Sequence, residues 1–335
     1  MNMKIQKSSG RSGNSLFRQP WISMVFAIAL VVIILSILQP SFFSVNSLKN
    51  VFLQSSFTAI IAVGMTFVIL SGGIDISVGM NVFLCMATMS ELAKVLPIWS
   101  VFIIGILVGT IVGIINGFLI CVFEIVPMIA TLSTLSICRG IAYILIDSKM
   151  KVAAEGLRIF GLSNVLGIPV PVIVMLVIAL AGYFLLRNTR LGRYVLAVGN
   201  SVTSARETGI KINLVRFVTY AMCGFCASIA SIIYIGRLGT VQTDTAYGIE
   251  FTVITAVVLG GTKLSGGRGT IPGSILGCIF LILIESFLSF MEVSGFFYDV
   301  VRGGILFIAI VFEFITTMRQ NRLILQENEM RLRQS

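Results

Sequence analysis

Uninterrupted apolar segments constrain this chain more strongly than any other feature of its sequence. One of them, Trp21–Leu38, lies between Pro20 and Pro40 and approaches the length of a bilayer-crossing helix, which takes about 20 residues. Hydrophobic residues make up 57% of the chain and charged residues 11%, against about 45–50% and about 25% in soluble domains. Over 335 residues, this pattern predicts an all-α fold, a polytopic membrane bundle of about ten transmembrane helices.

The distribution of basic residues predicts how this bundle is oriented. Residues 187–216 form an island between two apolar segments that holds six arginines and lysines and one acid, Glu207. Since lysine and arginine accumulate on cytoplasmic loops, the island and both termini are expected in the cytosol. The predicted division is a disordered N-terminal tail (1–19), a transmembrane domain (20–318) and a cytosolic C-terminal tail (319–335). The net charge of +10 lies mainly at span ends, which argues against nucleic-acid binding.

Within the basic island, the sequence carries the signals of a short helix. Residues 200–204 offer several N-cap side chains, and Gly209 is a candidate C-cap. About two helical turns are therefore expected between these signals, over residues 201–208.

Glycine marks two further features of the predicted bundle. Gly-rich breaks occur at residues 71–79 and 260–269, and similar segments precede them, FTAIIAV at 57–63 and FTVITAV at 251–257. Paired breaks in two halves of a transporter point to a translocation site, so an internal duplication is one interpretation.

A four-residue repeat in the fourth span places glycines on one helix face, where tight packing is favoured over substrate contact: Gly105, Gly109, Gly113 and Gly117.

The chemistry that the sequence lacks excludes most enzyme classes. The chain contains no histidine, and its carboxylates are scattered without the close pairs used in glycosyl or phosphoryl transfer. The six cysteines lie in or at the end of apolar segments and form no metal-binding pattern. The Gly-rich stretch at 260–269 lacks the Lys-Ser/Thr ending of a phosphate loop. We therefore expect no catalytic residue, metal or cofactor on this chain, and ATP hydrolysis, if used, on a partner.

Polar side chains inside the spans are candidates for a transport path. Hydroxyls, amides and a carboxyl group could hydrogen-bond a neutral polyol at less cost than burying an ion, although each alone is often a helix-to-helix contact. The candidates are Thr66, Asp75, Ser77, Asn81, Asn116, Thr131, Thr134 and Thr255. Arg139 is the exceptional charge near the middle of a span. It is expected to pair with Asp75 or another carboxylate, or to act in gating.

Four stretches of the chain resemble the permease subunit of bacterial ribose-type ABC importers, which serve monosaccharides and autoinducer-2. The resemblance covers about residues 42–314. The stretches are AVGMTFVILSGGIDISVG at 62–79, PMIATL at 127–132 with Arg139 and Gly140, TRLGRY at 189–194 with Gly199 and Asn200, and VLGGTKLSGGRG at 258–269. The first and last are highly specific together.

The resemblance implies a multi-pass protein of the bacterial inner membrane. Its implied partners are a cytosolic ATPase with two nucleotide-binding halves, an external sugar-binding protein, and a second permease copy or a sister permease. It also implies that the short helix in the basic island is the coupling helix that docks on the ATPase. Its residues are Ser201, Val202, Thr203, Ser204, Ala205, Arg206, Glu207, Thr208 and Gly209.

This coupling stretch departs from the usual pattern of the family. Ser-Val-Thr-Ser stands at 201–204 where an Asn/Glu-Ala-Ala sequence is common, and Glu-Thr at 207–208 replaces Leu-Ser.

Two other classes of protein remain open, an ion-coupled secondary sugar transporter and a membrane enzyme acting on lipid-linked substrates. The sequence names neither the sugar nor the second permease.

Overall fold

The computed structural model describes residues 20–147 and 150–334, which are mostly helical. The tail predicted at residues 1–19 lies outside this part of the chain. The described helices are α1 (Pro20–Leu38), α2 (Val45–Leu70), α3 (Val78–Leu92), α4 (Ile98–Cys121), α5 (Pro127–Ile146), α6 (Ile159–Leu162), α7 (Val170–Asn188), α8 (Arg190–Asn200), α9 (Val202–Glu207), α10 (Ile212–Leu238), α11 (Ile249–Leu259), α12 (Ile271–Phe290) and α13 (Phe296–Gln334), with 3₁₀ turns at Pro40–Phe43 and Glu155–Arg158.

Helix α2 forms the centre of the bundle. Each of its residues from position 55 to position 70 is buried, and α7, α10, α11 and α12 pack around it. From Phe57 onward the only polar side chains of α2 are those of Thr58 and Thr66, so this part of the helix is apolar on nearly every face and suits a position enclosed by other helices.

Among the described residues, seven helices are long and apolar enough to cross a membrane: α1, α2, α4, α5, α7, α10 and α12. Two other apolar helices are shorter, since α3 has 15 residues and α11 has 11. At 1.5 Å per residue, α11 covers only about half of a hydrocarbon core about 30 Å thick. Both short helices adjoin a Gly-rich break, so the bundle contains two interrupted segments.

The outer surface of the bundle is apolar. Ile144 of α5 is 78% exposed, Phe184 of α7 57% and Phe307 of α13 69%. Large apolar side chains at this exposure are unfavourable in water but are expected where helices meet lipid chains. The structure is thus that of an all-α, polytopic membrane protein.

Short strands lie at the end of the bundle where α10 ends, which we call the strand end. The strands are β1 (Met150–Val152), β2 (Asn164–Val165), β3 (Ile168–Pro169) and β4 (Thr240–Gln242). β1 pairs with β4, and β2 pairs with β3 in a hairpin whose turn is Leu166 and Gly167. The stretch between α5 and α7 therefore contains secondary structure where it is described. The opposite end of the bundle, which carries α9, is called the α9 end.

Candidate functional site

The six-residue helix α9 is closed at both ends by local hydrogen bonds. The Ser201 hydroxyl is its N-cap and accepts a hydrogen bond of 3.2 Å from the Ser204 amide. At the other end, Gly209 has a φ of 78°, and the Ile210 amide donates to the Ala205 carbonyl at 3.1 Å. A left-handed glycine after the last turn is a common way to end a helix. Helix α9, Val202–Glu207, thus lies within the helix predicted at residues 201–208.

One residue of α9 anchors it to the bundle. Ala205 is buried in an apolar cluster that we call the α9 seat, formed by Val63, Phe67, Leu70, Leu186, Val195, Val198, Ala205, Ile212, Val215 and Ile271. Leu70 is the last residue of α2, and Ile271 is the first residue of α12. The seat therefore connects α9 to two helices that run through the bundle.

The other predicted coupling residues point away from the seat. Ser201 is half-buried, and the rest are exposed: Val202, Thr203, Ser204, Arg206, Glu207, Thr208 and Gly209. An exposed helix with an apolar underside is suited to contact a partner on one face while resting on its own bundle with the other.

Three of the sequence motifs meet beside the α9 seat, at Leu70, Gly199 and Gly267, which we call the glycine junction. The Gly267 amide donates to the Leu70 carbonyl at 3.0 Å, and the Asn200 side-chain amide donates to the Gly267 carbonyl at 3.3 Å. A Cβ atom at Gly199 would overlap the Leu70 oxygen and the Gly267 nitrogen. Glycine is needed there because two other backbones approach closely. The junction joins both Gly-rich breaks to the helix that leads into α9.

A buried polar cluster fixes the first break to α4 and α5. The Asp75 carboxylate accepts hydrogen bonds from the Ser77 amide and hydroxyl at 2.9 and 2.6 Å. The Asn116 side chain donates to the Ser77 hydroxyl at 2.8 Å and accepts from the Thr134 hydroxyl at 2.7 Å. All four side chains are buried. A carboxyl group inside a membrane bundle requires such hydrogen bonds, so four of the eight path candidates form one structural unit.

The other four candidates lie elsewhere in the core. The Thr66 hydroxyl donates to the Ser274 hydroxyl of α12 at 2.8 Å, and the Asn81 side chain donates to the Gly109 carbonyl of α4 at 3.0 Å. Two further hydroxyls donate to carbonyls of their own helices, those of Thr131 and Thr255. In this conformation the eight residues are buried and make contacts within the bundle, and their role in a path stays a prediction.

Sequence reasoning missed the side chains of α10 that hold the first break. The Tyr220 hydroxyl donates to the Ile74 carbonyl at 3.3 Å, and Nε of Arg216 donates to the Ser71 carbonyl at 3.4 Å. The sequence signal that could have linked these two side chains was their spacing, because Arg216 and Tyr220 are four residues apart and such residues share one face of a helix. Only the tertiary structure identifies the backbone groups that these side chains bind.

The glycine repeat of α4 faces neighbouring helices. A Cβ atom would meet α10 at Gly109, Gly113 and Gly117, and would meet Met89 of α3 at Gly105. At Gly113 it would lie 2.5 Å from the Tyr220 carbonyl oxygen. The α4 and α10 backbones are therefore in direct contact, as small residues at a membrane helix interface allow.

Arg139 lies on the outward face of α5. Its Nε donates to the Tyr143 hydroxyl at 2.7 Å, and its guanidinium lies 5.2 Å from the Tyr143 ring centroid and 5.7 Å from that of Tyr247. The expected pairing with Asp75 is wrong, because that carboxylate is bound within the polar cluster. Arg139 also forms no ion pair with any other carboxylate in the part of the chain that the structure describes. Instead, a hydroxyl and two aromatic faces surround the guanidinium.

Comparison with known proteins places this architecture in a family. A family model described as a branched-chain amino acid transport system / permease component matches residues 47–310. The chain belongs to this permease family. It is therefore a membrane-embedded transport subunit, and the family resemblance inferred from its motifs is confirmed.

Individual relatives of this permease align over most of its length. The ribose import permease protein RbsC of Escherichia coli (strain K12) is 33% identical over 309 residues, 90% of this chain and 96% of the relative. The ribose import permease protein RbsC of Bacillus subtilis (strain 168) is 37% identical over 289 residues, 85% of this chain and 89% of the relative. The D-allose transport system permease protein AlsC of Escherichia coli (strain K12) is 35% identical over 293 residues, 86% of this chain and 90% of the relative. No solved structure shows significant similarity to the permease.

Proposed function

We propose that this permease passes a monosaccharide or a similar small polyol across the bacterial inner membrane as a subunit of an ABC importer. The observation that carries the proposal is α9, an exposed helix capped at both ends whose single buried residue, Ala205, belongs to the same apolar cluster as Leu70 of α2 and Ile271 of α12. The names of the relatives, ribose and D-allose permeases, support the substrate class. The family description names branched-chain amino acids instead, so leucine is the informative competing substrate.

The proposed partners follow from this assignment. A cytosolic ATPase with two nucleotide-binding halves binds the exposed residues of α9. An external sugar-binding protein delivers substrate at the strand end. A second copy of the chain, or a sister permease, completes the membrane core, and the surrounding lipid contacts the apolar periphery.

The proposed orientation places the α9 end in the cytosol. Ten helices serve as membrane segments, namely α1, α2, α3, α4, α5, α7, α10, α11, α12 and α13, with α3 and α11 as short members that adjoin the Gly-rich breaks. Both termini are then cytosolic. The support is the basic island, since Arg190, Arg193 and Arg206 are all exposed at the α9 end.

Single cysteines test this orientation. All six native cysteines are buried, so the background of labelling is low. In intact cells, a membrane-impermeant maleimide is expected to label Leu166→Cys and to label Thr203→Cys only after permeabilisation. Leu166 is 98% exposed at the hairpin tip, which makes it the matched reporter for the other side. The reverse labelling pattern would invert the orientation and refute ATPase docking on α9.

The proposed mechanism moves α9 as a rigid piece. When the ATPase closes on nucleotide, it displaces α9, and the α9 seat transmits the displacement to Leu70 and Ile271. The glycine junction moves with them because Gly199 contacts both Leu70, at the end of α2, and Gly267, in the second Gly-rich break. The bundle then alternates between outward-open and inward-open arrangements.

The outward face of α5 is proposed to line the path beside the second permease. The exposed residues Ser133, Ser136 and Arg139 lie on this face, at the three-residue spacing that keeps side chains on one side of a helix. A guanidinium that faces lipid is expensive, whereas water or a facing subunit lowers that cost. In this role Arg139 acts as the gating charge of the path.

The left-handed backbone of Gly209 gives the sharpest test of coupling. Gly209→Val is expected to reduce ATP-driven uptake by roughly tenfold, because a β-branched residue is strongly disfavoured at φ of 78°. Gly209→Asn is the matched control, since asparagine tolerates this conformation and no atom lies within 4 Å of an added Cβ. The measurement is uptake of labelled ribose by proteoliposomes that contain the permease, its ATPase and its binding protein.

Three outcomes of that uptake assay would contradict the proposal. Normal coupled uptake by Gly209→Val would refute the docking role of α9. Uptake that survives ATP depletion but stops with an ionophore would identify an ion-coupled secondary transporter. Uptake of leucine in place of ribose would refute the sugar substrate while leaving the importer class intact.

A further inference from the structure

A polar cavity of about 320 Å³ lies at the strand end, away from α9 and from the outward face of α5. It is enclosed by the first turns of α2, the last turns of α12, the end of α10 and the 3₁₀ turn after α1. Its lining residues are Phe42, Ser47, Asn50, Gln54, Arg237, Ser286, Ser289 and Phe290. Because helix ends form its walls, the cavity lies at the depth where a bundle leaves the hydrocarbon and meets lipid headgroups.

The charge of this cavity is positive and uncompensated. Arg237 is half-buried, and within the described residues the structure gives it no ion pair and no hydrogen bond. No lining residue is acidic. Glu285, which precedes Ser286, is already paired with Arg302 at 3.0 Å. A partly buried guanidinium without a carboxylate is costly unless an anion reaches it, so the cavity is suited to an anionic group.

The other lining groups suit an oxygen-rich ligand with apolar chains. Serine hydroxyls and the amides of Asn50 and Gln54 can donate to and accept from ester, phosphate and hydroxyl oxygens. The Gln54 carbonyl oxygen accepts from Ser286 at 3.5 Å, and the amide nitrogen of Gln54 has no protein partner in the described part of the chain. Phe42 and Phe290 form an aromatic wall, with ring centroids 5.5 Å apart.

Exposed apolar side chains lie on the helices that line the cavity. Phe52 on α2 is 46% exposed, Phe290 on α12 41% and Leu238 on α10 43%. These side chains belong to the three helices that also line the cavity. A ligand with a charged head in the cavity and apolar chains along these side chains would satisfy both surfaces.

We propose that this cavity binds the phosphodiester headgroup of an anionic phospholipid, with Arg237 on the phosphate oxygens. A guanidinium can form two parallel hydrogen bonds to a phosphate, and the serines and amides bind the glycerol portion of the headgroup. The assignment depends on neither the transported substrate nor the orientation of the bundle, since phospholipid headgroups border both faces of a membrane. Bound lipid would hold α2, α10 and α12 together at the strand end.

Native mass spectrometry of the purified permease tests this assignment with phosphatidylglycerol as the probe. Arg237→Gln is expected to weaken phosphatidylglycerol binding about fivefold, which corresponds to one lost basic contact. The variant should fold, because no hydrogen bond or ion pair within the described part of the chain depends on Arg237. Lys49→Gln is the matched control. Lys49 is exposed on α2 beside Asn50 but does not line the cavity, so this substitution removes the same charge outside it. It should leave lipid binding unchanged.

Thermal unfolding provides the second readout. Phosphatidylglycerol should raise the melting temperature of the native permease and of Lys49→Gln more than that of Arg237→Gln, whereas phosphatidylcholine should not distinguish the three. Equal retention of phosphatidylglycerol by both variants would overturn the proposal. Stabilisation by inorganic phosphate equal to that by lipid would assign the cavity to a soluble anion. Stabilisation by ribose that requires Arg237 would make the cavity a sugar site.

Discussion

Replacing Gly199 with alanine is expected to lower ATP-driven uptake by this permease by at least about tenfold, because a tenfold change requires only about 1.4 kcal/mol of lost coupling. The added Cβ would overlap the Leu70 carbonyl oxygen and the Gly267 amide nitrogen. These two atoms form the hydrogen bond of 3.0 Å that links the two Gly-rich breaks. Breaking that bond costs about 1 kcal/mol, and forcing the backbones apart adds about 1–3 kcal/mol.

A second variant separates uncoupling from misfolding. Asn200→Ala removes the side-chain hydrogen bonds to the Gly267 carbonyl at 3.3 Å and to the Leu196 carbonyl at 2.8 Å but adds no atom at the junction, so its uptake should fall by less than that of Gly199→Ala. For both variants, the measurements are membrane level, ATPase activity of the assembled transporter and uptake in proteoliposomes. The junction model requires Gly199→Ala to retain ATPase activity while losing uptake. If ATPase activity and uptake instead fall in proportion to the amount of permease in the membrane, the junction has only a structural role.

Substituting Gly113 is expected to cause a large loss of stability in the bundle. An alanine Cβ there would lie 2.5 Å from the Tyr220 carbonyl oxygen and 3.0 Å from the Gly224 Cα atom. Both are backbone atoms of α10, so no side chain can rotate to make room, and the two helices must separate. We expect Gly113→Ala to destabilise the permease by about 3 kcal/mol and Gly113→Leu to prevent its accumulation in the membrane.

Gly304 supplies the matched control for Gly113. It lies inside α13, and no atom comes within 4 Å of an added Cβ. Since alanine favours a helix interior by about 1 kcal/mol relative to glycine, Gly304→Ala should be neutral or slightly stabilising. Thermal unfolding of the detergent-purified variants measures the difference. A melting temperature for Gly113→Ala at or above that of the native permease would disprove direct backbone contact between α4 and α10.

Local sequence signals were sufficient where the relevant interaction is local. Ser201 and Gly209 lie at the two ends of α9 because a serine cap and a left-handed glycine act on their own neighbours. The α4 glycines share one helix face for the same reason. The all-α membrane class followed from the length and hydropathy of the spans.

Features that depend on distant contacts could not be predicted in this way. Leu70, Gly199 and Gly267 are far apart in the chain, and no local pattern indicates that they touch. Arg139 was expected beside a carboxylate, but its guanidinium instead contacts Tyr143 and Tyr247, because the position of a charged side chain depends on every group around it in the folded chain. The sequence also did not suggest that α8 precedes α9, although its buried Val195 and Val198 follow helical spacing.

The division of α9 into one inward residue and several outward residues bears on how transporters of this kind diversify. Ala205 is the only residue of α9 in the α9 seat, and its exposed neighbours on α9 can vary without disturbing the packing of the bundle. If α9 docks the ATPase as proposed, changes confined to those neighbours would alter which ATPase the permease accepts and leave the transmembrane bundle unchanged. New pairings of permease and ATPase can therefore arise by a few surface substitutions.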